Sequence, residues 1–155
     1  MLPGNLRHSH IQHQIEELQN SWNSTINLLF LDFDGVFVVP RQNMEDYLKR
    51  IAHLAQQYQL KVVITSTWRH DMDNCHRVLD DYLEVQGRTE LDGSNRSQQI
   101  LNYLSTHPFK HFLILDDLFI DELQDYQVHC DYFTGFDEKA YEKAVQILKK
   151  QAEKI

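Results

Sequence analysis

Cysteine is scarce in this chain: Cys75 and Cys130 are the only two in 155 residues, and they form no CxxC pair. That excludes a disulfide framework and a cysteine-built zinc site, and leaves both thiols as buried or half-buried packing residues. Long apolar runs are missing too. None approaches the ~20 residues that span a bilayer, so no membrane partner is expected. The first twenty residues are polar and rich in His and Gln, without the basic-then-apolar pattern of a signal peptide. A cytoplasmic protein is the expectation, with non-standard secretion left open. Basic residues are in deficit, 15 against 23 acidic, for a formal net charge of −8. Broad phosphate neutralisation needs the opposite balance, so nucleic acid is an unexpected partner unless Arg69, Arg88 and Arg96 gather at one site. His8, His10 and His13 lack the i, i+4 spacing of a helix-borne metal pair and read as a solvated segment. Repeats and low-complexity linkers are also absent.

What is present is organised around residues 28–39. Leu28, Leu29, Phe30 and Leu31 run straight into Asp32, Phe33, Asp34 and Gly35. A continuous apolar run of this kind reads as a strand buried on both faces, as in a parallel sheet. Ligands of open α/β sheets bind at the carboxyl ends of such strands, which is where Asp32 and Asp34 fall. Two carboxylates so close to a buried strand repel each other and lose hydration unless a cation or proton compensates. A hard ion such as Mg2+ suits them. Gly35 permits a sharp turn without a side chain blocking the site.

Along the rest of the chain, residues 11–22 carry apolar residues at helical spacing and read as an accessory helix, giving an N-terminal segment 1–27 ahead of a main domain 28–155. Residues 36–39 form a short flap or extended turn. Asn43 caps a helix over 44–58, and residues 61–65 form a second buried strand followed by a helix over roughly 70–82. Residues 83–93 are ambiguous between a short strand and a loop. Asn95 or Ser94 caps a helix to about 105. A third strand, 112–115, ends at Asp116 and Asp117. A helical turn at 119–123, a weaker strand at 128–133 and a last amphipathic helix over 137–150 complete an alternating α/β pattern, with a doubly wound, mostly parallel sheet.

Three apolar strands thus end in polar groups: Asp32 and Asp34, Thr65 and Ser66, Asp116 and Asp117. In a doubly wound sheet all three ends converge on one crevice. With these residues in view, DFDGV, then ITSTWR, then a basic residue opening a helix, then LILDD resembles the haloacid dehalogenase-like (HAD) superfamily of phosphohydrolases. Ser-Thr-Trp-Arg and the LDD ending are most similar to the small HAD domains of RNA-repair-like proteins. The resemblance implies an Mg2+-dependent phosphomonoester hydrolase. Asp32 would be the nucleophile that forms an aspartyl-phosphate, and Asp34 the general acid and then base. Asp32, Asp116 and the Asp34 carbonyl would hold Mg2+, with Asp117 as outer ligand or orienter. Thr65, Ser66 and the following helix N-terminus would bind the phosphoryl group.

Arg96 stands where the superfamily usually has a lysine. It carries the same charge on a larger, forked group. Arg69 either reaches a substrate phosphate or base, or pairs with surface acids. Trp68 is expected to pack at the mouth of the crevice. Neither place where the superfamily inserts a cap domain has room for one here. An open crevice implies a bulky phosphorylated substrate, such as a phosphoprotein, nucleic-acid end or glycan, or a partner that supplies a lid. The alternative is a catalytically weak HAD domain that binds a phosphorylated ligand or protein.

Overall fold

The computed structural model of the chain describes residues 4–153, with side chains from Ser9 onward. Five strands, β1 (Asn27–Leu31), β2 (Leu60–Ile64), β3 (Val85–Arg88), β4 (His111–Asp116) and β5 (Gln127–His129), form one sheet in the order β3-β2-β1-β4-β5. All four pairings are parallel. Helices α1 (Gly4–Trp22), α2 (Met44–Tyr58), α3 (Met72–Leu79), α4 (Arg96–Thr106) and α5 (Glu138–Glu153) cover it.

The alternation of a pleated strand explains why β1 reads as an unbroken apolar run. Leu29 and Leu31 pack on one face with Leu48, Ile51, Leu79 and Ala144, the inner sides of α2, α3 and α5. Leu28 and Phe30 pack on the other with Ile15, Ile100 and Leu104, from α1 and α4. Every one of these side chains is at most 1% exposed. The first helix is longer than the 11–22 expected and joins the second core through Ile15, while Trp22 Nε1 donates to the Leu104 carbonyl at 3.0 Å. His10 and His13 lie exposed on that helix, His13 against Glu17 at 3.0 Å; the His8 side chain lies outside the described residues.

Two features of the topology make a site. Leu31 is level with Ile64 on one side and with Leu115 on the other, so the next residues, Asp32, Thr65 and Asp116, emerge side by side. The sheet also grows outward from β1 in both directions, and the β1/β4 gap is its switch point, where a crevice opens. Only residues 32–43 link β1 to α2 and only residues 89–95 link β3 to α4, so neither connection holds a cap domain.

Several boundaries differ from expectation. Of the flap or turn expected at residues 36–39, the structure has a buried turn: the amides of Val36, Phe37 and Val38 all donate to the Phe33 carbonyl, and Val36 and Phe37 are fully buried. The helix expected over 70–82 is split into a 3-10 turn at Thr67–His70 and α3, because the Asp71 side chain accepts from Asn74 N and starts a new helix. The helical turn near 119–123 is a 3-10 segment at Asp121–Tyr126. The last strand ends at His129, since residues 131–135 fold back on themselves through Thr134 N and Gly135 N to the Asp131 carbonyl.

Candidate active site

Asp32, Asp116 and Asp117 each offer a carboxylate oxygen within 4.8 Å of the others, which makes a cluster able to coordinate a divalent metal. Asp32 N donates to the Leu115 carbonyl at 3.0 Å, so the strand ladder itself delivers Asp32 beside Asp116. Asp116 is fully buried; its Oδ1 accepts from Leu118 N at 2.9 Å and its Oδ2 from Arg96 Nη1 at 2.5 Å. Arg96 Nη1 also lies 3.9 Å from Asp32 Oδ1. One guanidinium from the first turn of α4 therefore bridges acids from two strands.

The acids are under electrostatic load. Burial pushes the Asp32 carboxyl up to about 8; the neighbouring Asp116 charge and a hydrogen bond to Asp117 add to this, and Arg96 only partly opposes it. Asp116 is also raised, by burial first, with Arg96 pulling the other way. Such a site holds more negative charge than its own cation neutralises. Its donor atoms are all carboxylate oxygens, the set that hard divalent ions prefer over thiolate- or imidazole-seeking metals.

Gly35 is what lets Asp117 in. Its φ is +78°, and a Cβ there would fall 2.8 Å from the Asp117 side chain. The loop after β4 is stapled from behind by Gln127, a fully buried glutamine whose Nε2 donates to the Leu118 carbonyl at 2.6 Å and whose Oε1 accepts from Ile120 N at 3.0 Å. The sequence marks Gln127 only as an amide beside Val128 at the start of a short edge strand, too weak a signal to single it out. His129 Nε2 donates to the Asp117 carbonyl at 3.0 Å and fixes the same loop from the side.

Asp34 lies outside the three-carboxylate cluster. Its carboxylate, half-buried, instead accepts from Trp68 Nε1 at 3.2 Å, and the indole packs on Phe33 with ring centres 5.1 Å apart. Thr65 sits fully buried beside Asp32, and its hydroxyl has no hydrogen-bond partner. Buried hydroxyls are rarely left so, and an orphan at a strand end beside three acids is what a bound anion would satisfy. Ser66 Oγ accepts from Trp68 N at 3.2 Å, which caps the 3-10 turn and leaves the hydroxyl proton to be donated. No α-helix follows Thr65 and Ser66 directly. A 3-10 turn at Thr67–His70 comes first, and the first turn of α3 already has the Asp71 carboxylate on Asn74 N.

Arg69, expected either at a substrate phosphate or base or against surface acids, is instead held by backbone carbonyls. Only 6% exposed, it donates from Nη1 to the carbonyls of Thr65 and Ser66 at 2.9 and 3.0 Å. Its Nε and Nη2 reach the carbonyls of Thr89 and Glu90 at 3.3 and 3.2 Å. It makes no ion pair with an acid among the described residues, and its donors face backbone carbonyls. Arg69 ties the Thr65–Ser66 turn to the loop after β3, and Arg88 Nη1 in turn donates to the Arg69 carbonyl at 2.6 Å. The three arginines do approach one another, since Arg96 and Arg88 both depress the Arg69 guanidinium after the larger effect of burial. Both cysteines are buried, as expected, and burial raises both thiols. Among the described residues no helix is long and apolar enough to cross a membrane.

No curated protein and no solved structure matched the chain. Residues 28–141, from the first residue of the β1 apolar run into α5, match the family described as the HAD domain in Swiss Army Knife RNA repair proteins. With most of its length matched and three strand ends converging as that fold requires, the chain belongs to this branch of the HAD superfamily.

Proposed function

We propose that the protein is an Mg2+-dependent phosphomonoester hydrolase working through an aspartyl-phosphate, on a substrate too bulky for a capped site. The orphaned Thr65 hydroxyl beside the Asp32, Asp116 and Asp117 cluster carries this reading. Asp32, Asp116 and Asp117 would hold the ion, together with the Asp34 carbonyl. When bound, Mg2+ would neutralise the excess carboxylate charge and draw charge from the phosphoryl oxygens.

The chain's own groups account for the two displacements. An Asp32 carboxylate oxygen forms a bond to phosphorus as the bond to the leaving oxygen breaks, and Asp34 gives that oxygen its proton. Asp34 then takes a proton from water, whose oxygen attacks phosphorus and frees Asp32. Trp68 Nε1, on one Asp34 oxygen, leaves the other to handle the proton. Thr65 Oγ, Ser66 Oγ and Arg96 donate to the phosphoryl oxygens, where charge must be balanced in the transition state. Arg69 acts through the backbone, holding the Thr65–Ser66 turn in place.

The test is phosphate release from an aryl phosphate and from a phosphoprotein, glycan-phosphate and nucleic-acid-end panel, with and without Mg2+. The family's description makes an RNA terminal phosphate a natural member of that panel. Metal-dependent release abolished by Asp32→Asn is expected; no turnover on the whole panel, with the fold intact, rejects the reading.

A second reading has its own observation. Arg96 already pairs with Asp116 at 2.5 Å inside the acid cluster, so it could act as a resident counter-ion in a domain that binds phosphorylated ligands and turns them over weakly or not at all. Calorimetry with beryllium fluoride and Mg2+ separates the two: tight binding with no turnover favours the binder.

A further inference from the structure

We infer that the loops after β4 and β5 form a docking surface for a cationic polypeptide segment, on a partner protein lying beside the open crevice. Leu118 and Phe119 are 52% and 60% exposed, and Tyr132 and Phe133 45% and 71%. Only Met44 and Leu91 among the other described large apolar residues are comparably exposed. Isolated exposed apolar residues are ordinary; four on two adjoining loops are not.

The loops are neighbours. Asp116 is level with His129 across β4 and β5, and Cys130 N donates to the Asp116 carbonyl at 2.9 Å. The Phe119 ring meets the His129 ring edge-on at 5.5 Å, and Tyr132 meets Phe133 in the same way at 5.1 Å.

These side chains are held out, not left loose. Phe133 N donates to Asp131 Oδ1 at 2.8 Å, Tyr47 Oη donates to the Thr134 carbonyl at 2.9 Å, and Gly135 N closes the turn on the Asp131 carbonyl at 2.7 Å. A Cβ at Gly135 would fall 2.4 Å from Val39, so the turn is pressed against the loop that carries Asp34. A rigid aromatic platform binds with little ordering penalty, and aromatic side chains dominate binding surfaces of this kind.

Charge selects the occupant. Residues 118–138 contain six Asp or Glu and no Lys or Arg. Asp121 and Asp131 are exposed on the same two connections. Polyanions are repelled from such a surface, and a second copy of the chain would bring like charge to like. Lys and Arg side chains gain from both features: their charge meets the carboxylates and their stems and guanidinium planes lie on the rings. The surface differs from the crevice in this respect, since the crevice supplies Arg96 to an anion.

Fluorescence anisotropy on the full chain with Mg2+ tests it. The probes are a labelled Arg/Leu peptide of about a dozen residues, the same peptide with Glu for Arg, and a single-stranded oligonucleotide with hydroxyl ends. Saturable binding of the Arg/Leu peptide alone is expected, weakened about tenfold or more by Phe119→Ser with Phe133→Ser and unchanged by Leu91→Ser. Both phenylalanines are largely exposed, so the double variant should unfold within a few degrees of wild type, a thermal control for lost structure. Peptide binding that ignores the double variant would reduce the effect to net charge and overturn the proposal. So would oligonucleotide binding lost in that variant, which would make the platform a base-stacking surface. A dimer seen by light scattering and abolished by the same substitutions would assign it to a second copy.

Discussion

Replacing Asp32 by Asn should make the metal-free protein more stable while destroying its activity. Asp32 is 6% exposed and its carboxyl is pushed up to about 8 by burial and by Asp116. In the unfolded chain the same group titrates near 4. A folded value above the unfolded one means that the folded state binds the extra proton. The stability this gives is fully present below about pH 4 and is lost as pH rises through about 8. At neutral pH the three-unit interval above the unfolded value corresponds to roughly 4 kcal/mol of lost stability. Relaxation of Arg96 and entry of water reduce this, leaving about 2–4 kcal/mol, or some 5–15 °C in a chain of this size. Asparagine keeps the shape and carries no charge to desolvate. Urea unfolding in a chelator at about pH 5 and about pH 8 measures the gap. It should be small at the lower pH and large at the higher, and Mg2+ should narrow it by stabilising the wild type. An Asn variant no more stable than wild type at about pH 8, or equally advantaged at both pH values, would refute the electrostatic reasoning.

Three further substitutions separate stability from function. Thr65→Val removes a hydroxyl that has no partner, so stability should hold or rise by about 1 kcal/mol, while phosphate release falls roughly 10- to 100-fold; urea unfolding and turnover check the two halves. Gly35→Ala puts a methyl group 2.8 Å from Asp117 at φ +78°, which should cost about 1–3 kcal/mol and weaken Mg2+ binding by calorimetry. Gln127→Leu should cost about 2–4 kcal/mol by leaving Ile120 N and the Leu118 carbonyl unpaired, with a loss of protection at the Ile120 amide in hydrogen exchange.

Much of this site can be read along the chain because its logic is local. Each apolar strand announces its own end, and the parallel register then brings Asp32, Thr65 and Asp116 level without further instruction. The helix Met44–Tyr58 was legible in full, since Asn43 caps it and its apolar stripe is continuous. The sequence reads the weaker strand as running to Phe133 because Tyr132 and Phe133 look like strand residues by type, yet the Asp131 turn holds them outside the sheet. Arg69 is open along the chain between a substrate contact and a surface ion pair. What decides its surroundings is four carbonyls from two loops converging on it, and that convergence exists only in three dimensions. Gln127 is the same case. Residues 36–39 leave a flap and an extended turn open because their burial depends on residues a hundred positions away, where Phe136 N donates to the Val36 carbonyl at 2.8 Å.

The central claim is that Asp32, Asp116 and Asp117 act together as one cation cage, and anomalous scattering from crystals grown with Mn2+ in place of Mg2+ tests it most directly. A single peak among those three carboxylates, with Arg96 turned from Asp116 toward the phosphoryl position beside Thr65, is the predicted result. No peak there at saturating Mn2+, with Arg96 still seated on Asp116, would contradict it.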